Sequence, residues 1–444
     1  MRRRQLLKAS ASTMLSAPIA PLLLSISSLA QAKKNDSALR IMVPALPYFD
    51  LVKQHLKKFS RDNNIAIEID VFPYLEMRDI QLIELHKRQG KYDLIILLAA
   101  WKTEYVALNL LTNLSKEQKS GRLKVDDIND FIPTYLTVAG KVGGDRGYLD
   151  GANAQLFALP LGTDTSILAY RSDIFKKYNW KPPVSYDDLL ALLPLIRKHE
   201  PDLIPLCSRG ARGHQITHAW LLHFNAFGGE VFDKNWGPSV NNSAGLKAIE
   251  VLKAINASTP GGILNNLYAD MSNAFITGNA AMYLDSSTIF SVINDPVKSM
   301  VQDKVAFSLH PKGTAYSSET GGFAIAVPKN TQFPMQSLQL LANVTAKTQD
   351  RAMARKGGIP VRTSTLHDAE LQEIFPEYAL LAKQLDYANP NWRPIIPEWA
   401  VINEQILGNL IYEAVAGIIA PALALEQAEE KMKAVIKNAG HYRT

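Results

Sequence analysis

"FALPLGTDTSILAYRSDIF", residues 157–175, holds two apolar runs separated by a polar break. Phe157-Ala158-Leu159 reads as a strand that meets Pro160. Gly162-Thr163-Asp164-Thr165-Ser166 follows, and Ile167-Leu168-Ala169-Tyr170 is a second strand-like run before a charged helix start. Hydroxyls and a carboxylate are costly inside a buried strand unless each finds a partner. The break therefore reads as a place where the chain leaves one half of a molecule and enters another.

The flanking sequence supports two halves. A chain of 444 residues is too long for one ordinary core. "ALRIMVPAL" (38–46), "NIAIEIDVFP" (64–73) and "YDLIILLAA" (92–100) read as strands. The last is apolar throughout, as a strand covered on both faces is. "YFDLVKQHLKKFSRD" repeats apolar residues at helical spacing (Phe49, Val52, Leu56, Phe59), and "YLEMRDIQLIELHKRQGK" is a second amphipathic helix. Strand, helix, strand, helix, strand implies an α/β layer with a parallel sheet. After the break, Ser185 caps a helix with Asp188 three residues on. "THAWLLHFNAFGGEVFD", "SAGLKAIEVLKAIN" and "SNAFITGNAAMYLD" follow, then the strands "KVAFSLHP" and "GGFAIAVPK". Two long helical stretches close the chain, "PEWAVINEQILGNLIYEAVAG" and "PALALEQAEEKMKAVIKNAG". No Pro/Gly/Ser tether divides the sequence, so several short crossings join the halves.

The first 32 residues read as a cleavable export signal: a basic start, the apolar "LSAPIAPLLLSISSLA" and a small-x-small site at Ala30-Gln31-Ala32. Pro18, Pro21 and several serines interrupt the apolar run, which falls short of the ~20 residues a membrane span needs. Arg3-Arg4 before Leu6-Leu7-Lys8 resembles the twin-arginine export motif. Arg2, Arg3, Arg4 and Lys8 supply much of the net charge of +6, and the rest of the chain carries about +2. That is no basic footprint for nucleic acid. Cys207, the only cysteine, excludes an intramolecular disulfide and offers no lipid attachment near the cleavage site.

Motifs for covalent chemistry are missing. There is no GxxxxGK[ST] loop, HExxH or GxSxG, so no cofactor is expected. His214 and His218 stand four apart without a third metal ligand nearby in sequence, so core or surface histidines are the reading. Aromatics at the ends of apolar runs carry more. Tyr48, Tyr74 and Trp101 follow the first three strands, and ligands of α/β sheets bind beyond the carboxyl ends of strands. Trp392 and Trp399 flank "RPIIPE". Flat rings suit the C–H face of a sugar, with polar neighbours for its hydroxyls.

With these residues in view, the sequence resembles the family 1 extracellular solute-binding proteins, which include the maltose- and trehalose-binding components of ABC importers. "KYDLIILLAAWKTEYVALNLLTNL" carries Trp101, Glu104 and Tyr105 in matching places. Residues 157–190 look like the family's most recognisable segment, and "FNAFGGEVFD", "AFITGNAAMYLD", "ETGGFAIAVPK" and "GGIPVRTS" follow in order.

The resemblance implies a two-lobed periplasmic α/β fold with parallel-rich sheets flanked by helices and a hinge of three crossings. Residues 33–162 plus 312–364 would form lobe one, and residues 165–310 plus 366–444 lobe two. The crossings would lie at Gly162–Ser166, near His310–Thr314 and near Thr363–Leu366. Asp164 and Thr165 would face the cleft. Gly321 and Gly322 would bring backbone N–H groups to the ligand, and Arg362 would offer it a forked donor. Tyr48, Tyr74, Trp101, Asp285, Trp392 and Trp399 complete the implied site. The chain departs from the family at Ala99, where Asp is common, and at Asp285-Ser286-Ser287, where an aromatic is common. Both departures point to a ligand smaller or more polar than maltose.

The expected function is periplasmic capture of a carbohydrate or similar polyhydroxylated solute, by a monomer that hands it to an ABC permease without chemistry. The rival is a periplasmic sugar-acting enzyme with Asp164 and either Asp285 or Glu104 as acid and base. A weaker third reading is a binder of an anion or metal chelate.

Overall fold

A computed structural model describes residues 38–143 and 153–440. The expected export signal, residues 1–32, lies outside them. No helix among the described residues is long and apolar enough to cross a membrane.

Among the described residues, eleven strands make two main sheets and one small ribbon. They are β1 (Leu39–Pro44), β2 (Ile67–Phe72), β3 (Leu94–Leu98), β4 (Lys141–Val142), β5 (Gln155–Leu156) and β6 (Leu159–Asp164). Then come β7 (Ser166–Arg171), β8 (Ile204–Cys207), β9 (Ala280–Ser286), β10 (Val305–Ser308) and β11 (Gly321–Ala326). The first sheet has the order β2-β1-β3-β11-β6 and the second β10-β7-β9-β8, while β4 and β5 pair only with each other.

The alternation of strands and helices in the first hundred residues produces what it implied: β1 runs parallel to both β2 and β3. All five residues of β3 are buried, as a Leu/Ile run covered on both faces requires. Helix Phe49–Asn63 buries Phe49, Val52 and Leu56 along one stripe. The late strand β11 inserts antiparallel between β3 and β6, so the first sheet is mixed. The second sheet pairs β7 antiparallel with β9 and β10, and β8 parallel with β9.

Direction matters more than sheet type here. β1, β2, β3 and β6 all end at one edge of the first sheet, and the antiparallel β11 begins there. In the second sheet β8, β9 and β10 end where β7 begins. The chain passes between these two edges at Thr165, the single residue between β6 and β7. It returns between Ser308 and Gly321. It crosses again after the bridge of Arg362 to Phe131, since helix Glu377–Leu385 packs on β7 and β10. Two bodies joined by three passages follow from these connections.

Two local devices hold the passages. Gly322, with φ of 74°, sits where a side chain would strike the carbonyl oxygen of Gly162 at 2.3 Å. A bulge in the β11–β6 pairing follows immediately, between Gly322 and Ala324. Below the second sheet, helix His214–Ala226 is buried from Gln215 to Ala226 against helix Ser243–Ser258 and the C-terminal helices. The stretch read as one late helix, 397–417, is helix Trp399–Val401, a wide turn Ile402–Leu407 and helix Gly408–Val415. The Asn403 carbonyl takes the Gly408 N–H five residues on, and Thr217 Oγ1 donates to the same oxygen at 2.8 Å.

Candidate functional site

Where the two sheet edges face each other they enclose a cavity of about 150 Å³. Tyr48 follows β1, Tyr74 follows β2, Leu98 ends β3 and Asp164 ends β6; all four line it from the first body. Arg209, two residues after β8, and Ser286, the last of β9, line it from the second, with His214 and His218 from the first turns of their helix. Glu319 and Arg393 arrive on the return passages.

Four rings form one wall. Tyr48 meets Phe49 edge to face at 5.1 Å between centroids, Phe49 meets Phe323 at 5.1 Å, and Phe323 meets Tyr74 at 6.1 Å. The opposite wall is ionic. Arg209 holds Asp285 through two N–H groups, its Nε at 2.9 Å from Oδ2, and lies over the Tyr268 ring at 4.7 Å. Arg393 lies over the Trp392 ring at 4.4 Å and donates to Glu319 Oε1 at 3.3 Å and His218 Nδ1 at 3.2 Å. Because a guanidinium only donates, His218 Nδ1 accepts, and the neutral ring carries its proton on Nε2. That Nε2 lies 3.4 Å from both Asp285 Oδ1 and Glu319 Oε2.

These environments set the charges. Burial and the nearby Glu319 push the Asp164 carboxyl up to about 7, against the pull of Ser286, His218 and Arg393. Burial also acts on Asp285, but Arg209 and His218 outweigh it and hold that carboxyl well below the usual range. Burial, with Arg393 and His218 adding to it, keeps His214 well below its ordinary value and therefore neutral at pH 7. Burial raises the Tyr48 hydroxyl.

Four buried polar atoms from four residues converge here without a hydrogen-bond partner: Asp164 Oδ1, Glu319 Oε2, His218 Nε2 and Arg393 Nε. The Tyr48 hydroxyl adds a fifth. Two acceptors, two donors and one group able to do both match what successive hydroxyls of a polyol offer. A buried polar atom left alone costs about 1–3 kcal/mol, so five together mark a place prepared for a ligand.

A cation is the other candidate, since His218, Asp285 and Glu319 hold ligand atoms within 4.8 Å of one another. The donor set fits a metal poorly. Nε2 of the neutral His218 bears the proton, and Arg209 and Arg393 already face the two carboxylates.

The structure sorts the sequence-derived residues. Tyr48, Tyr74, Asp164 and Gly322 line the cavity. Gly321 borders it: a methyl there would lie 2.9 Å from Glu319 Oε1, 3.3 Å from an Arg393 nitrogen and 3.6 Å from Asp164 Oδ1. Asp285 stands behind Arg209 rather than on the surface. Trp392 lies beneath Arg393, with His218 edge-on at 5.1 Å.

Thr165 faces away, because neighbours on an extended chain point to opposite sides. Its Oγ1 donates to the Glu319 carbonyl at 2.7 Å and ties the first passage to the second. Trp101 and Trp399 are buried outside the cavity lining, where the turn Ala99–Trp101 packs on helix Trp399–Val401. Arg362 is fully buried over the Phe131 ring and donates to the carbonyls of Asp126, Asp127 and Thr345, so it serves the scaffold. Glu104 is held by Arg78 at 2.9 and 2.6 Å and is not beside Asp164 in the cavity wall.

Sequence reasoning missed Arg209, Glu319, Arg393 and Ser286 as site residues. Glu319 opens "ETGGFAIAVPK" and Arg393 follows Trp392, so both neighboured flagged positions. Ser286 lay in a flagged departure. Nothing in sequence marked Arg209.

Contacts across the cavity hold the two bodies together. Gln215 donates to the Tyr74 hydroxyl at 2.6 Å, Ser286 donates to Asp164, and Lys298 pairs with Asp50 at 3.0 Å.

Known proteins share this fold. Residues 47–350 match the model of the bacterial extracellular solute-binding protein family. A probable amino-acid ABC transporter periplasmic-binding protein of Sinorhizobium fredii is 25% identical over 407 residues, 89% of this chain and 88% of its own length. A mannitol-binding protein of Pseudomonas aeruginosa is 24% identical over 308 residues, covering 64% of this chain and 70% of its own. In structure, an ABC transporter solute-binding protein of Agrobacterium radiobacter, solved with ribitol, superposes with a TM-score of 0.79. It is 22% identical, and the match covers 90% of this chain and 99% of that one. With the family match spanning well over half of the sequence, the chain belongs to the bacterial extracellular solute-binding proteins.

Proposed function

We propose that this chain is the capturing component of an ABC importer and takes a small polyhydroxylated solute into the cavity between its two bodies. One observation carries the reading: buried, partnerless donors and acceptors converge beside a wall of aromatic rings where the chain passes between sheets. Rings cover the C–H faces of a polyol while the polar atoms meet its hydroxyls. A cavity of about 150 Å³ favours a pentitol, hexitol or monosaccharide over a disaccharide. Mannitol and ribitol, bound by relatives, are of that size.

The site residues in this reading are Tyr48, Tyr74, Asp164, Glu319, His218 and Arg393, with Gly321 and Gly322 keeping the ionic wall uncrowded. The bodies correspond to residues 33–162 plus 312–364 and residues 165–310 plus 366–444, moving about the three passages as lobes. Closure links ligand capture to docking on the permease, because the open and closed forms differ in affinity for it. The protein works as an exported monomer after removal of residues 1–32, by the twin-arginine route, in the periplasm. No bond is made or broken.

A thermal-shift screen of residues 33–444 against pentitols, hexitols, hexoses, disaccharides and amino acids tests the reading. A ligand that binds only the folded state adds about 2.7 kcal/mol at a hundredfold excess over its Kd. A shift with polyols or monosaccharides is expected. A shift with amino acids alone would replace the polyol assignment.

A further inference from the structure

The carboxylates of the cavity outnumber its guanidiniums. Asp164, Glu319 and Asp285 are all buried, against Arg209 and Arg393. Arg209 spends one edge, Nε and a terminal nitrogen, on Asp285. Arg393 divides one nitrogen between Glu319 and His218. Asp164 Oδ1 and Glu319 Oε2 make no hydrogen bond, the latter with His218 Nε2 at 3.4 Å. They belong to carboxylates that converge on one spot, since a single methyl placed on Gly321 would reach both at 3.6 and 2.9 Å.

A second, independent feature is the ring wall of Tyr48, Phe49, Phe323 and Tyr74. Aromatic faces attract cations, most strongly where water is excluded. An anionic solute meets more carboxyl groups than guanidiniums, with Arg393 Nε as an open guanidinium donor. Beside a neutral polyol, Asp164 relieves its repulsion from Glu319 by keeping a proton up to about pH 7, and an ammonium can take the place of that proton.

We propose that the solute carries an ammonium group beside its hydroxyls, seated between Asp164 and Glu319: an amino sugar or amino-alditol in preference to its neutral counterpart. This rests on the polyol reading above and sharpens it. The ammonium supplies donors to both orphan oxygens and balances the excess carboxylate. The hydroxyls keep Arg393 Nε and the Tyr48 hydroxyl as partners. His218 Nε2–H, already directed between Asp285 and Glu319, fixes the second carboxylate in place.

Calorimetric titration of residues 33–444 at pH 7 with matched pairs decides it: D-glucitol against 1-amino-1-deoxy-D-glucitol, and D-glucose against D-glucosamine. The amine member of at least one pair should bind about tenfold more tightly or better. That advantage should fall to about threefold or less in Glu319→Gln, which keeps the shape and removes the charge. Neutral members binding as well as or better than their amines overturn the ammonium assignment and leave the polyol reading standing. Failure of every member to bind overturns both. The wild-type pairs alone decide the question if Glu319→Gln does not fold.

Discussion

Two buried ionic niches, around Arg362 and around Arg393, differ in how they end. Around Arg362 the polar atoms close on backbone. The guanidinium donates to three carbonyls, and Asp350 accepts the N–H groups of Val361 and Arg362 at 3.1 and 3.2 Å. A single atom there, Arg362 Nε, has no partner. Around Arg393 the polar atoms close on side chains from distant segments, and four residues leave atoms open toward one cavity. The first niche fastens a loop. The second is incomplete as a structure, and complementary as a receptor. Buried charge alone does not tell a site from a brace; the convergence of unpaired atoms does.

Breaking each niche should therefore produce opposite signatures. Arg362→Ala strands three carbonyls and removes the buried cation facing Asp130 and Asp350, so chemical denaturation should show a loss of about 3–5 kcal/mol. Ligand affinity of the folded fraction should barely change. Asp164→Asn should do the reverse. Removing this partner weakens binding by about 1.5–3 kcal/mol, read by calorimetry, while the unliganded protein keeps its stability at acid pH and gains some as pH rises toward 7.

The pH dependence of stability has a definite sign in this comparison. Asp164 titrates near 7 when folded and near ~4 when unfolded, so the folded chain binds more protons between those values. Stability from this group is greatest at the acid end and is lost as pH rises through about 7. Melting curves from pH 4 to 8 should converge with those of Asp164→Asn at low pH and fall below them at high pH.

Tyr48→Phe removes a hydroxyl with no partner, so the melting temperature should hold or rise while binding weakens by about 0.5–1.5 kcal/mol. The smallest effect belongs to Lys298→Ala, which cuts the half-exposed tie to Asp50 between the bodies. Denaturation should register a change of about 1 kcal/mol or less, vanishing in high salt.

The strands and passages were legible because each depends on a local pattern. The apolar run of β3, the alternation in β2 and the polar break at 162–166 speak for themselves in the sequence. So do Tyr48, Tyr74 and Asp164 as cavity-lining positions, since they stand at or just after strand ends in an α/β layer. Trp101 obeys the same rule and yet is covered, because the segment that buries it, Trp399–Val401, comes some three hundred residues later. No local pattern reports a lid supplied from so far away. Glu319, Arg393 and Arg209 were hidden for the same reason: each is an ordinary loop residue until the three passages bring them together. Arg362, which the resemblance placed at the ligand as a forked donor, is turned inward over Phe131.

The central claim is that the cavity between the two sheet edges, with Asp164 at its floor, is the solute site. Calorimetric titration of wild type and Asp164→Asn with pentitols, hexitols, hexoses and their amino forms tests it most directly. The account predicts saturable one-to-one binding by wild type to at least one of these solutes, weakened at least about tenfold in Asp164→Asn. Binding that Asp164→Asn leaves untouched, or no binding to any of them, would contradict it.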